Sequence, residues 1–379
     1  MSQSISPEER CLGSLMKLID KDSDISSKET KITTLDEKLS IFDSINSSIN
    51  STINSSINSG NVSIPPPKPF FNPILSSRQS ILLAFNEQKS TIILQKFVMS
   101  APKEILAKII EILRGSYSII IRNKNGNYFF SDLVKNCGKD LRIEILKELS
   151  SSIAFDCLDE YGTHPIQILI QNATCVEEYK LLLASFDHQD KIKSAALNSN
   201  GTFVIQKLLI FIPEQYRIEF NVKFSFSICD LSIDKFGVCS LIKYINYTKN
   251  EYCENQVLKS ILSKFIEISA NQYGNYLIQN ILKLWWITDK GYLLKNICIQ
   301  YFHILAINNY SSYICDVFLS LSSYDEKLIL VKYLYNNNLI DKFTKSNTGK
   351  IILNKLMMFV NNQNILIGNV ANRKFCYKK

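Results

Sequence analysis

The chain of 379 residues is long enough for one large or two ordinary domains, and its 46% hydrophobic residues can supply a substantial core. With only 12 glycines and 9 prolines, the composition argues against a turn-rich all-β fold. The formal net charge of +8 is compatible with a polyanionic partner but does not identify one.

The ten cysteines and three histidines show no metal-site pattern. No two cysteines have CxxC spacing, so we expect no metal and no cofactor. Residues 1–20 lack the apolar segment of a secretory signal, and no uncharged apolar run approaches the ~18 residues that span a bilayer. We therefore expect reduced thiols in a cytoplasmic protein that does not enter a membrane. No phosphate loop, nucleophile elbow or paired-carboxylate motif is recognisable, so we expect no enzyme activity.

Residues 1–71 differ from the rest of the chain. Ser44–Ser63 repeats Ser-Ile-Asn units, and a Pro-rich stretch at residues 65–69 follows. Isolated isoleucines separated by Ser and Asn bury too little surface to offset the entropy cost of ordering. We predict a disordered Ser/Asn-rich arm with a Pro-rich linker, followed by a folded domain over residues 72–379.

Eight short segments recur in the folded part. They are STIILQ (90–95), GNYFFS (126–131), GTHPIQ (162–167), GTFVIQ (201–206), GVCSLI (237–242), GNYLIQ (274–279), SSYICD (311–316) and TGKIIL (348–353). Their last residues are spaced by 36, 36, 39, 36, 37, 37 and 37 positions. Such a nearly constant period indicates a repeat architecture over residues of about 80–373.

Each repeat also contains a longer amphipathic segment after the motif. Arg142–Leu149, Glu254–Ile268 and Glu326–Leu334 have apolar residues at helical spacing, and short apolar pieces precede the next motif. Two long helices and one short helix in each repeat predict an all-α solenoid. We expect Ile365–Val370 to cap its end and the eighth repeat to be the least stable.

The segments GNYLIQ, GTFVIQ and GTHPIQ, at this period and in eight copies, resemble the repeats of the Pumilio (PUF) family of RNA-binding proteins. The resemblance implies an α-solenoid of eight three-helix Pumilio-type repeats that forms a crescent. It also implies that single-stranded RNA binds along the concave face, with one base per repeat. We expect a monomer, with protein co-repressors as further partners on the convex face.

In that family the first and fifth residues after the helix start contact a base edge, and the second stacks on a base. The implied base-edge residues are Thr91, Gln95, Asn127, Ser131, Thr163, Gln167, Thr202, Gln206, Asn275, Gln279, Ser312 and Asp316. The implied stacking residues are Tyr128, His164, Phe203, Tyr276 and Tyr313. We expect the base-edge side chains to be accessible on one face.

Some repeats depart from the family pattern. Asn275 with Gln279 resembles the uracil pair, and Ser312 with Asp316 resembles the guanine pair. Val238 and Ile242 in the fifth repeat, and Gly349 and Leu353 in the eighth, cannot hydrogen-bond with a base. Three lysines directly follow a fifth position, where they could neutralise phosphates. They are Lys96, Lys207 and Lys243.

Three functions fit these patterns. The leading hypothesis is a regulator that binds 3′ untranslated regions of messenger RNA and represses translation or promotes decay. A second is a nucleolar Pumilio-like factor that binds ribosomal RNA during ribosome assembly, which the degenerate fifth and eighth repeats allow. A third is a protein-binding scaffold of the armadillo or HEAT kind, which gives no reason for amide and aromatic side chains to recur every ~36 residues.

Overall fold

A computed structural model of the chain describes residues 77–362. The predicted disordered arm (residues 1–71) and the predicted cap Ile365–Val370 lie outside the described residues. Within the described range the chain forms α-helices and one short 3-10 turn, with no β-strand. The all-α prediction is therefore confirmed for this part of the chain.

The helices follow one another closely along the chain. Their bounds are α1 Arg78–Ala84, α2 Gln88–Ser100, α3 Lys103–Leu113, α4 Tyr117–Ile121, α5 Gly126–Asn136, α6 Lys139–Leu149, α7 Ile153–Asp156, α8 Thr163–Asn172, α9 Val176–Ala184, α10 Gln189–Leu197, α11 Gly201–Phe211, α12 Ile218–Ser225, α13 Ile228–Leu231, α14 Lys235–Tyr247, α15 Glu251–Ser263, α16 Phe265–Ala270, α17 Gly274–Trp285, α18 Asp289–Leu305, α19 Ser312–Leu321, α20 Tyr324–Asn336, α21 Ile340–Phe343 and α22 Asn347–Asn362. The 3-10 turn Glu214–Tyr216 precedes α12.

The recurring segments all lie on helices that pack side by side. These motif helices are α2, α5, α8, α11, α14, α17, α19 and α22. Each motif helix contacts the next one in chain order. A second row contains the longer amphipathic helices, with α3 against α6, α6 against α9, α12 against α15, α15 against α18 and α18 against α20. Two parallel rows with neighbour-only contacts are the architecture of an α-solenoid.

The seventh repeat departs from the three-helix pattern. Between the fifth and sixth motif helices the chain leaves the helical conformation at Lys264, with φ −127° and ψ 28°, and this separates the long helix α15 from the short helix α16. Between the sixth and seventh motif helices, α18 runs without a break through its 17 residues, so the long helix after α17 and the short helix before α19 are one. The seventh motif helix therefore has no separate short helix before it.

The core lies between the two rows of helices. In α17 the side chains of Leu277, Ile278 and Ile281 are 0% exposed, as their helical spacing predicts. Full burial of each such side chain contributes about 1.5–3 kcal/mol. Close approach also explains the glycine before the first position, because a Cβ on Gly274 would lie 2.4 Å from the carbonyl oxygen of Ile268.

Candidate nucleic-acid interface

Most of the motif helices start from the same side-chain cap. At α17, Asn271 Oδ1 accepts hydrogen bonds from the backbone N–H groups of Tyr273 (2.8 Å) and Gly274 (3.0 Å). The capping residues with the same two bonds in other repeats are Asn123, Asp159, Asn198, Asp234 and Asn308. This cap places the first, second and fifth positions at equivalent points of successive helices. An Asn or Asp four residues before each of these first positions is visible in the sequence and could have predicted the cap.

The polar first-position side chains are buried, at most 8% exposed. They are Thr91, Asn127, Thr163, Thr202, Asn275 and Ser312. The expectation that these side chains would be accessible is therefore wrong. These side chains donate to backbone carbonyls near the starts of the motif helices: Asn275 Nδ2 donates to the carbonyls of Asn271 and Gln272, both at 3.0 Å. Contact between these side chains and a base stays a prediction.

Two threonines at the first position join neighbouring repeats. Thr163 Oγ1 donates to the carbonyl of Asn200 at 2.9 Å, and Asn200 belongs to the turn that starts the next motif helix. Thr202 Oγ1 donates to the carbonyl of Phe236 at 3.1 Å and lies 2.9 Å from Ser240 Oγ. These side chains therefore fix the spacing between consecutive motif helices as well as occupying the predicted base-edge position.

Three fifth-position glutamines donate to the first-position side chain of their own helix. The pairs are Gln279 Nε2 with Asn275 Oδ1 (2.9 Å), Gln167 Nε2 with Thr163 Oγ1 (3.2 Å) and Gln206 Nε2 with Thr202 Oγ1 (3.2 Å). Gln279 and Gln167 are partly exposed, whereas Gln206 is buried. Ser131 is also buried, and its hydroxyl donates to the carbonyl of Asn127 at 2.8 Å. The structure therefore brings the predicted edge pairs together but leaves only some fifth positions accessible.

Two other fifth-position side chains contact the next motif helix. Gln95 Nε2 donates to Asp132 Oδ2 at 2.8 Å. Asp316 Oδ1 accepts from Lys355 Nζ at 2.6 Å. The repeat pattern does not predict Asp132 or Lys355 as site residues, because these contacts depend on the distance between helices and not on spacing within one repeat.

The second-position side chains include the most accessible residues of the triads. Tyr128 and Tyr313 are 56% and 55% exposed, and His164 is also exposed. Phe203 and Tyr276 are half-buried. The rings of Tyr128 and His164, on neighbouring helices, have centroids 6.4 Å apart and planes tilted by 50°. Although the ring is exposed on one side, its partial desolvation by the protein, and then the nearby Lys135, lower the pKa of His164 and favour the neutral imidazole.

The three predicted phosphate-contacting lysines differ in accessibility. Lys96 is exposed, while Lys207 is half-buried with its ammonium 5.4 Å from the ring centroid of Phe211. Lys243 is only 6% exposed, because its helix α14 packs between α11 and α17. The prediction of an accessible phosphate contact is therefore wrong for Lys243.

The fifth repeat is apolar at the predicted base-contacting positions. Val238 is 0% exposed and Ile242 is 1% exposed, so neither presents a polar group. Cys239, at the stacking position, is 5% exposed, and burial raises the pKa of its thiol to about 11. The expected lack of base-specific groups in this repeat agrees with these side chains.

The eighth repeat is shifted by one residue from the predicted alignment. A Cβ on Gly349 would lie 2.3 Å from the carbonyl oxygen of Phe343, six residues earlier. The same six-residue relation holds between Gly274 and Ile268 in the sixth repeat. The N–H of Gly349 also donates to Ser346 Oγ at 2.9 Å, as in the caps of other repeats. Gly349 is therefore the glycine that starts the helix and not a first-position residue.

This shift gives the eighth repeat different triad residues. Lys350 takes the first position, since its N–H donates to the carbonyl of Ser346 at 3.1 Å, as first-position residues do elsewhere. Ile351, 54% exposed, takes the second position, and the exposed Asn354 takes the fifth. The prediction that Gly349 and Leu353 occupy the edge positions is therefore wrong. From the repeat spacing alone, either Thr348 or Gly349 could take the place of the glycine that starts the helix.

Comparison with known proteins agrees with this geometry. A sequence model of the Pumilio-family RNA binding repeat matches residues 195–219 and 264–284, which include most of α11 and α17. Pumilio homolog 12 of Arabidopsis thaliana is 24% identical over 304 residues, which is 77% of this chain and 49% of that protein. Fem-3 mRNA-binding factor 1 of Caenorhabditis elegans is 27% identical over 186 residues, 41% of this chain and 29% of that protein.

Solved structures share the same fold. The Puf4 RNA binding domain bound to the HO endonuclease RNA 3′ UTR recognition sequence has a TM-score of 0.64 and 18% identity, and covers 77% of this chain and 94% of that chain. The RNA-binding domain of yeast Puf5p bound to AAT2 RNA has a TM-score of 0.64 and 19% identity, and the match covers 77% of this chain and 86% of that chain. In its repeat motif, in its sequence and in its fold, the chain is similar to the Pumilio family.

Similarity to this family of RNA-binding proteins supports the expectation that the chain is not an enzyme. The chain spans about half the length, or less, of the curated Pumilio relatives described above. The two segments that match the repeat model contain the glutamine pairs of Thr202 with Gln206 and Asn275 with Gln279. Both matched segments therefore contain a first and a fifth position that hydrogen-bond with each other.

Two negative findings concern the described part of the chain. None of its helices is both long and apolar enough to cross a membrane. Over the same residues, no group of three His, Cys, Asp or Glu side chains is placed to hold a metal ion.

Proposed function

We propose that this protein binds single-stranded RNA along its row of motif helices. The observation that carries the proposal is the recurrence of accessible rings at the same position of three motif helices, at Tyr128, His164 and Tyr313. A helix surface that needs only solubility gains nothing from such rings, whereas a nucleobase stacked on an aromatic side chain contributes about 1–3 kcal/mol. The partly exposed amide of Gln167 lies one turn after His164, and that of Gln279 lies one turn after the half-buried Tyr276. Both amides supply hydrogen-bonding groups for base edges.

The proposed targets are 3′ untranslated regions of messenger RNA in the cytoplasm. Support comes from similar proteins: Puf4 is bound to a 3′ UTR recognition sequence, and the nematode relative is an mRNA-binding factor. Binding would repress translation or promote decay through co-repressor proteins. The second row of helices, opposite the rings, is the surface left for such partners.

The proposal is tested by removing rings from the motif helices of the full chain. The variant Tyr128→Ala, Tyr276→Ala, Tyr313→Ala loses three stacking contacts, and binding of an RNA selected from a random pool should fall at least a hundredfold. The measurement is the Kd from titration of labelled RNA at one fixed salt concentration, since the phosphate contribution depends on salt.

A matched control changes three tyrosines in the second row. The variant Tyr252→Ala, Tyr292→Ala, Tyr335→Ala removes side chains that are 49%, 65% and 40% exposed on α15, α18 and α20. Its RNA affinity should equal that of the unmodified chain. Equal losses in the two triple variants, or no RNA enriched from the pool, would count against the proposal.

Ribosomal RNA is a second candidate target, in the nucleolus. It is favoured by the burial of first-position side chains such as Asn127 and Asn275, because fewer accessible base-edge groups mean weaker sequence discrimination. The same selection separates the two candidates: a conserved sequence among the enriched RNAs supports the first, and enrichment without a consensus supports the second.

A further inference from the structure

An ion pair joins the fifth position of the seventh repeat to the last motif helix. Lys355 Nζ lies 2.6 Å from Asp316 Oδ1, and the two side chains are 48% and 37% exposed. They line a cleft of about 400 Å³ together with Leu319, Ser320 and Lys327. The pair is therefore open to solvent and has room beside it for a ligand.

The contact has a counterpart at the other end of the row. Lys355 directly follows Asn354, the fifth position of the eighth repeat, and Asp132 directly follows Ser131, the fifth position of the second. Asp132 contacts Gln95 of the preceding helix at 2.8 Å. In both places, the residue after a fifth position reaches the fifth-position side chain of the repeat before it.

The chemistry of the seventh repeat is incomplete without Lys355. Ser312 Oγ donates to the carbonyl of Asn309 at 3.2 Å, so its proton is already used within the protein. The carboxylate of Asp316 is an acceptor only, although its two oxygens can accept several hydrogen bonds, so the contact with Lys355 does not saturate it. Between Ser312 and Asp316 there are acceptors for a base but no unused donor.

We infer that Lys355 is a specificity-determining residue of the seventh repeat and forms a composite guanine site with Asp316. The carboxylate accepts from the two adjacent N–H donors of guanine, and the ammonium donates to the neighbouring O6. Adenine and cytosine present a ring nitrogen acceptor beside their amino group, which the carboxylate repels. Uracil offers one N–H between two carbonyls and fills only part of the site. This inference rests on the proposed RNA binding and adds a residue from the next repeat to the subsite.

The test uses the full chain and an RNA that it enriches from a random pool. The variant Asp316→Asn first identifies the RNA position at which base preference is lost. Four RNAs with G, A, U or C at that position are then compared by competition binding. The unmodified chain should prefer G, and Lys355→Ala should reduce the preference for G over A about tenfold, by loss of one contact in a multidentate base interaction. Lys355→Arg, which keeps a donor, should restore the preference.

Two controls separate base recognition from charge and from folding. Lys96→Ala removes an exposed lysine from the same position of the first repeat and should weaken all four RNAs alike. Urea unfolding of Lys355→Ala should match that of the unmodified chain, because an exposed ion pair adds little stability.

The outcomes are distinct. If the unmodified chain enriches no RNA, the proposed function fails and this inference fails with it. If RNA is bound but Lys355→Ala weakens all four RNAs equally, Lys355 is a phosphate contact and the inference is wrong while the proposed function stands. A greater preference for G in that variant would also overturn the inference, since the lysine would then compete with the base.

Discussion

A buried ion pair joins α6 to α9 in the second row of helices. Arg142 Nε lies 2.8 Å from Glu178 Oε1, and the Glu178 side chain has no solvent exposure. Its other oxygen, Oε2, accepts from the backbone N–H groups of Thr174 (2.7 Å) and Cys175 (3.2 Å). Each charge is therefore compensated by several hydrogen bonds, which is the condition for a buried pair to be tolerated.

The first testable prediction concerns the contribution of Glu178 to the free energy of unfolding. Burial alone would raise the pKa of this carboxyl, but the hydrogen bonds from Arg142 and the Thr174 backbone outweigh it and lower the pKa. A carboxyl with a lowered folded-state pKa stabilises the protein above its unfolded pKa, and this stability is lost as the pH falls through the folded value. Glu178→Gln should cost about 3 kcal/mol at neutral pH, because it leaves Arg142 buried without its counterion.

Urea unfolding between neutral and acidic pH measures this effect. The loss caused by Glu178→Gln should shrink as the pH falls, since the unmodified chain loses the same charge by protonation. The adjacent Glu177→Gln is the matched control: Glu177 is half-exposed, pairs with Lys147 at 3.4 Å, and should change stability by less than about 1 kcal/mol. Similar losses in the two variants would contradict the role assigned to the buried pair.

For individual residues, the sequence could not predict how deeply each side chain is buried. The positions that Asn275 and Gln279 occupy recur every ~36 residues, and this period correctly predicted that the two residues lie on one helix of each repeat. The pattern does not contain the position of the neighbouring helix, which buries Asn275. Contacts such as Asp316 with Lys355 were missed for the same reason, because they join residues 39 positions apart.

The element that repeats most strictly is the capped start of the motif helix. The amide oxygen of Asn271 satisfies two N–H groups that the helix itself leaves open. Asn271→Ala should therefore destabilise the protein by about 1–2 kcal/mol, the upper part of the range for helix caps. Urea unfolding of the full chain measures the loss.

The chain itself supplies the control for this prediction. Asp occupies the same place at Asp159 and Asp234 and makes the same two bonds. Asn271→Asp should therefore keep nearly full stability. An alanine variant as stable as the aspartate variant would mean that the cap does not hold the start of α17.

The caps also explain why one helix was misaligned from sequence. Six repeats have Asn or Asp at the cap, but the eighth has Ser346, which is less distinctive in a polar loop. Without a clear cap, only the constant spacing of the repeats indicates where the helix starts. The interval between the fifth positions of the seventh and eighth repeats is one residue longer than that spacing. The seventh repeat kept its alignment despite replacing glycine by Ser311, whose hydroxyl donates to the carbonyl of Leu305 at 2.8 Å.

At the scale of the whole molecule, the repeat pattern predicted the fold because each repeat contacts its neighbours through one row of motif helices. In such a solenoid, stability is approximately the sum of the repeats and of the interfaces between neighbours. The helix α17 has motif helices on both sides, α14 and α19. Among the described residues, α22 has only α19 as a motif-helix neighbour.

This asymmetry predicts that the eighth repeat opens first. In the described part of the chain, α22 therefore has a motif-helix interface on one side only. Native-state hydrogen exchange should show faster exchange for amides at 347–358 than for those at 274–285, because local opening follows the number of buried neighbour contacts. The N-terminal motif helix α2 should be intermediate, since α1 covers it and buries Ile81 and Phe85. Equal protection of α22 and α17 would show that the terminal interface is not the weak point of the solenoid.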